Sequence, residues 1–184
     1  GVIRKSSNVG ITKIALSLSA EDIWADLSEV GFGEQTYSGF PGEASGYLAD
    51  FNRWRDIERA TLAYGYGLSV TGMQLAQAYS VFANDGYRVP VTLLQRERPA
   101  EQRKVYSPRV ARAVRKMMEA VVKKDGTAPQ AAVQGYRVAG KTGTVHKSVA
   151  GGYADDRYLS VFAGMAPASR PRLVVVVMID EPSN

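Results

Sequence analysis

Apolar residues recur at helical spacing through the first part of the chain, and the period shortens to that of strands near the end. Asn8 is read as a helix cap, with Ile11, Ile14, Ala15 and Leu18 behind it at i, i+3, i+4 and i+7. Ser19, with Asp22 three residues on, is a capping-box variant opening a second helix with Ile23, Leu27 and Val30 on one face, and Gly31 stops it. Gly33 to Asn52 has no period and carries Gly39-Phe40-Pro41-Gly42, which is turn chemistry, so it is read as irregular connection. Asp56 to Ala63 is a short helix ended by Tyr64-Gly65-Tyr66-Gly67, where glycines alternating with aromatics suggest tight backbone packing or simply a loop with two anchored rings. Thr71 and Gln74 form a second capping box before Leu75, Ala78, Tyr79 and Phe82, and Asn84-Asp85-Gly86 offers a left-handed end. Arg88 to Arg98 is read as a short edge strand because of Pro90. Ser107-Pro108 starts the strongest helix, whose face is taken as Val110, Val114, Met117 and Val121, with Gly126 closing it.

Three strand-like runs follow, Tyr136 to Thr144, Tyr158 to Ala166 and Arg172 to Ile179. The valine run in the last is expected to be buried on both faces. Helices first and a strand meander second predict an α+β fold, an antiparallel sheet flanked by helices. The helical portion spans about 6–126 and the strand portion about 134–181 of one domain.

Composition narrows the chemistry. The chain of 184 residues has no cysteine, which excludes disulfides, thiolate metal sites and a cysteine nucleophile, and its one histidine, His146, excludes a multi-histidine metal site. The net charge of +5 is scattered among acids, which points to solvated surface and not to nucleic acid. The longest apolar run, Leu173 to Ile179, is far short of the roughly 20 residues of a membrane helix.

Gly140-Lys141-Thr142-Gly143-Thr144 is the segment richest in chemistry, a cation among small residues and hydroxyls suited to an anion. Gly135 to Thr142 matches the phosphate-loop pattern G-x-x-x-x-G-K-[ST] letter for letter, and Val174 to Asp180 with Glu181 mimics its magnesium-holding strand. A phosphate loop must open a helix, and Gly143, a β-branched run and Gly151-Gly152 follow the lysine instead. The other reading is a strand-edge lysine of the K-T-G type, with Ser6-Ser7-Asn8 as the matching S-x-N element.

The segments Thr61 to Thr71, Gln74-Leu75-Ala76, Ala83 to Gly86, Phe40 to Glu43, Phe162-Ala163-Gly164 and Ala166-Pro167-Ala168 then resemble the class B penicillin-binding proteins, and among them the septal, cell-division transpeptidase of Gram-negative bacteria. The resemblance runs from Lys5 to Pro182. It implies the penicillin-binding transpeptidase and β-lactamase fold, and a D,D-transpeptidase that cross-links peptidoglycan stem peptides ending in D-Ala-D-Ala through a serine acyl-enzyme, with no organic or metal cofactor expected. It implies β-lactams as inhibitors, divisome membrane proteins as partners, and a place at the inner membrane facing the periplasm. Ser6 would lie in the proton path, Asn8 would bond the substrate amide and the catalytic lysine, and Lys141 would hold positive potential and polarise the Ser6 network. Thr142 and Thr144 would take the terminal carboxylate, the Thr144 N–H would be half of the oxyanion hole, and Gly143 would make room for substrate lying as an added strand.

Three features depart from the family pattern. No serine is followed three residues later by lysine, so the S-x-x-K nucleophile is expected to precede Gly1, and these residues alone are expected to be inactive. The family's C-terminal helix and loop are expected to follow Asn184, and without both ends the 184 residues are expected to be unstable. After the K-T-G-T stand Val145 and His146 where relatives often have a small residue and arginine. His146 could contact a carboxylate and Tyr153 could wall the cleft, against plain readings as exposed surface residues. A serine β-lactamase and a non-catalytic β-lactam or muropeptide sensor share the fold, but no Glu-x-x-Leu-Asn loop for a deacylating base is present.

Overall fold

The computed structural model describes residues 1–98, 100–149 and 152–182, so Gly151 of the expected Gly151-Gly152 turn and the last two residues lie outside it. In chain order the elements are α1 (Val2–Lys5), α2 (Asn8–Leu16), α3 (Ala20–Glu29), β1 (Tyr47–Leu48), α4 (Asp56–Leu62), β2 (Leu68–Ser69), α5 (Gly72–Ala83), β3 (Tyr87–Arg88), β4 (Arg103–Lys104), α6 (Pro108–Glu119), β5 (Ala139–Val149), β6 (Gly152–Ala166) and β7 (Leu173–Asp180). The fold is α+β. Its main sheet is antiparallel with order β5-β6-β7, and two small ribbons pair β1 with β2 and β3 with β4. Helices α5 and α6 pack on one face of the main sheet, where Met118, Ala139, Met165 and Ala168 form a core with Tyr79, Phe82, Val114 and Val174 against it.

Both capping boxes form. Asp22 N–H donates to Ser19 Oγ, and Gln74 N–H donates to Thr71 Oγ1 while the Thr71 N–H returns to Gln74 Oε1 at 2.7 Å. The fully buried Gln74 also donates from Nε2 to the carbonyls of Glu34 and Ser45, both at 2.7 Å. That pins the aperiodic Gly33–Asn52 stretch, whose only strand is β1. The left-handed end of α5 also forms. Asp85 has φ 50° and Gly86 φ 96°, and a Cβ at Gly86 would lie 2.3 Å from the Tyr106 carbonyl oxygen.

Several expected boundaries and faces are corrected. The cap of α2 is Ser7 and not Asn8: Ser7 Oγ accepts from Gly10 N–H, Asn8 is already helical, and the helix ends at Leu16. The Arg88–Arg98 strand reduces to Tyr87–Arg88, since the proline expected at its edge ends the pairing. β5 begins at Ala139 rather than Tyr136, which makes only an isolated bridge with Val133, and β6 begins at Gly152, well before Tyr158. The face expected after Ser107-Pro108 holds in part, with Val114 against the core and Val121 fully buried, but its other two residues point outward. Ala111, Arg115 and Met118 are buried, while Met117 is 49% exposed and Val110 is exposed as well. Arg115 shares the inward side. Its Nη1 donates to Phe82 O at 2.8 Å and to Asp85 Oδ1 at 3.2 Å, so its stem lies in the core and its cation meets the carbonyl end of α5. Arg115→Ala is expected to lower stability by about 1–3 kcal/mol, because it strands the Phe82 carbonyl, while Asp85 keeps its pair with Arg112. A urea midpoint that falls at unchanged slope checks it.

The valine run is not buried on both faces. β7 alternates, with Val174 against the core and Val175 51% exposed, because among the described residues the helices cover only one side of the sheet. Asp180 and Glu181 are held by Lys147 Nζ at 3.0 and 2.9 Å.

Candidate active site

Gly140-Lys141-Thr142 lies inside β5, with strand and not helix following the lysine, so the phosphate-loop geometry is absent. Gly140 is small for another reason. It pairs with Gly164 of β6, and the ring of Phe162 lies across both glycines, 2.5 Å from a Cβ built at Gly140 and 2.7 Å from one at Gly164.

The S-x-N segment is a tight joint between two helices. Ser6 ends α1 in the left-handed region (φ 51°, ψ 47°), Ser7 caps α2, and Asn8 begins it. A Cβ at Gly10 would meet Val2 Cγ2 at 2.6 Å, so glycine lets α1 fold back on α2. With Ser7 as the cap, the exposed Asn8 side chain is left for other partners. The joint faces β5: Lys141 Nζ donates to Ser6 Oγ at 2.6 Å and to Thr142 O at 2.7 Å, a contact across 135 residues. Burial lowers the Lys141 pKa from the ordinary lysine value.

β5 is an edge strand of its sheet. The His146 N–H points away from β6 and donates to Tyr66 Oη at 3.3 Å. Alternate residues of a strand share a direction, so the backbone groups of Thr144 and Thr142 point to the same free edge. Lys141 Nζ on Thr142 O agrees with that. Thr142 is partly buried, and its hydroxyl lies 2.8 Å from that of Thr127. Thr144 is exposed, as is Gly143, where a Cβ would meet nothing nearer than Val161 Cβ at 3.9 Å. Beside this edge is a cavity of about 440 Å³ walled by Lys141, Gly143, Val145, Tyr64, Leu68 and Met178. A second, mainly apolar cavity of about 420 Å³ opens among the helices, lined by Ile11, Ile14, Leu27, Leu62, Tyr79 and Phe82.

The far end of the edge is aromatic. Tyr66 stands edge-on to Tyr153 with centroids 4.8 Å apart, and Tyr64 is 5.8 Å from Tyr66. The exposed His146 ring is fixed by its Nδ1, 2.8 Å from Ala154 O, and by Tyr158 at 5.7 Å. A carbonyl only accepts, so Nδ1 carries the proton and Nε2 is the free acceptor. The structure thus brings Ser6, Lys141 and Thr142 together, continues them along β5 with Gly143 and Thr144, and sets His146 and Tyr153 at the other end. Tyr66 and Thr127 were missed as site residues. The Tyr-Gly-Tyr-Gly pattern signalled anchored rings without saying against what, and Thr127 has no local signal. Among the described residues no group of three or more acidic or histidine side chains could hold a metal.

Residues 1–184 match the family described as the penicillin-binding protein transpeptidase domain. The chain is 48% identical over 185 residues to a Pseudomonas aeruginosa protein named probable peptidoglycan D,D-transpeptidase PbpC, spanning all of this chain and 33% of that one. Among solved structures, the apo transpeptidase domain of Burkholderia pseudomallei penicillin-binding protein 3 superposes with a TM-score of 0.95 at 49% identity, over 99% of this chain and 56% of its own. Mycobacterium tuberculosis penicillin-binding protein 3 complexed with aztreonam gives 0.94 at 37% identity, over 100% of this chain and 45% of its own.

Proposed function

The chain belongs to the penicillin-binding protein transpeptidase domain family, and on that premise we propose that it is part of a septal peptidoglycan D,D-transpeptidase that β-lactams inhibit. The serine nucleophile of the S-x-x-K element comes from another part of the parent protein, and the two cavities beside Lys141 and among the helices leave room for the segment that bears it. That serine attacks the D-Ala-D-Ala carbonyl of a stem peptide, the terminal D-Ala leaves with a proton as its amine, and an amine from a neighbouring stem takes the acyl group and frees the serine. Ser6 relays the proton, and Lys141 keeps the Ser6 hydroxyl polarised. Asn8 bonds the substrate amide and the catalytic lysine of the S-x-x-K element. Thr142 and Thr144 take the carboxylate, and the Thr144 N–H is half of the oxyanion hole. Stem peptide lies along the free edge of β5 as an added strand, with Gly143 leaving space and His146 and Tyr153 flanking its far end.

The observation that carries this reading is the Lys141–Ser6 hydrogen bond at 2.6 Å, which unites the two motif segments at an open strand edge. Among the described residues no helix is long and apolar enough to cross a membrane. The proposed periplasmic location and inner-membrane anchor, and the divisome membrane proteins as partners, rest on the family resemblance alone. Labelling of the parent protein by a fluorescent penicillin, with slow release, is the expected result. No labelling sinks the proposal, and rapid turnover makes the protein a β-lactamase.

A further inference from the structure

We infer that the turn after α6, Lys123–Ala128, is a brace that fixes the two motif segments relative to each other, with Asp125 as a positioning residue for Ser6 and Thr127 as a positioning residue for Thr142 and its carboxylate-bearing ligands; this rests on the function proposed above. The contacts form a closed ring. Ser6 meets Lys141, Lys141 meets Thr142 O, and the Thr142 hydroxyl meets that of Thr127 at 2.8 Å. Asp125, in the same turn, returns to the start: its carboxylate accepts from Arg4 Nη1 at 2.6 Å and its carbonyl accepts from Lys5 Nζ at 2.7 Å. Arg4 and Lys5 are the two residues before Ser6.

Each part of the ring has a physical reason to need the others. α1 has four residues, too short to hold itself as a helix, and Ser6 stands in the left-handed region that non-glycine residues avoid. The placement of the Ser6 hydroxyl therefore depends on what holds α1, and Asp125 holds both basic residues of its last turn. The turn is firm enough to do so. It is closed by Gly126 N–H to Lys123 O at 2.8 Å and Ala128 N–H to Val121 O at 2.9 Å, and Ala128 is buried. The Arg4–Asp125 pair is too exposed to add much stability, so its effect is on position. Thr127 acts on the proton of Thr142. If Thr127 donates to Thr142, the Thr142 hydroxyl has its own hydrogen free for a carboxylate. Valine at 127 removes that bias while keeping the shape.

The test uses the full-length parent and two probes, a penicillin as free acid and as its methyl ester. Thr127→Val is expected to weaken binding and acylation efficiency for the free acid about five- to tenfold, the worth of one neutral hydrogen bond. It should leave the ester unchanged, and Thr127→Ser should restore the free acid. Arg4→Gln and Asp125→Asn are each expected to slow acylation by both probes a few-fold, with the double variant no worse than either. Thermal midpoints within error of the wild type accompany all of these. For Thr127→Val, equal losses on acid and ester or wild-type behaviour, and for Arg4 and Asp125, losses that multiply, would each overturn the brace alone. A wild-type parent that neither probe acylates overturns the functional reading and the brace with it.

Discussion

Lys141→Ala in the parent protein is expected to lower the rate of penicillin acylation by about 10³-fold, comparable to loss of a preorganised donor in an acyl-transfer site. The reason is the position of the ammonium. It donates at 2.6 Å to Ser6 and at 2.7 Å to Thr142 O, so it both polarises the hydroxyl and steadies the strand that takes the carboxylate. Burial lowers its pKa, meaning the fold penalises the charge it keeps there. The variant should therefore lose activity without losing stability, and its thermal midpoint should stay at or above that of the wild type. Acylation within tenfold of the wild type would show that the Lys141–Ser6 contact is only structural.

The second large effect separates two glycines of one motif. Gly140→Ala is expected to destabilise the domain by about 1–3 kcal/mol, near the upper end, as overpacking does in a filled site. The new methyl would lie 2.5 Å from the Phe162 ring and 2.9 Å from the Ala163 carbonyl oxygen, and backbone does not yield cheaply. Gly143→Ala is expected to leave stability unchanged, since its methyl meets only Val161 Cβ at ordinary contact distance. It should cut acylation about 10- to 100-fold through misplacement of the ligand beside the strand. Urea unfolding and acylation kinetics on both variants give the pattern. A Gly143→Ala protein that acylates normally removes the case for ligand against that strand, and a Gly140→Ala protein of full stability removes the ring-over-glycine account.

What could be read along the chain was local. The boxes at Ser19–Asp22 and Thr71–Gln74, the proline start at Ser107-Pro108 and the left-handed end at Asp85-Gly86 each depend on atoms a few residues apart, and each formed. The same holds for the change of period that announced the sheet. The K-T-G and S-x-N letters could be found too, and context already argued that Lys141 stood on a strand. Faces and contacts were not legible in that way. That Arg115 lies inward on α6 while Met117 stays exposed shows only once α5 is in place, because Arg115 donates to the Phe82 carbonyl at its end. Whether the valine strand is covered depends on what packs against it, and periodicity carries no record of that. Tyr66 reaches the site only because the hairpin end of β5 comes to it, and Thr127 only because the turn after α6 lies against Thr142. By itself the sequence determined the elements and the candidate chemistry, because caps and turns are satisfied within a few residues. The tertiary structure alone decided which of those groups touch, because a hydrogen bond across 135 residues exists only once the chain has closed on itself.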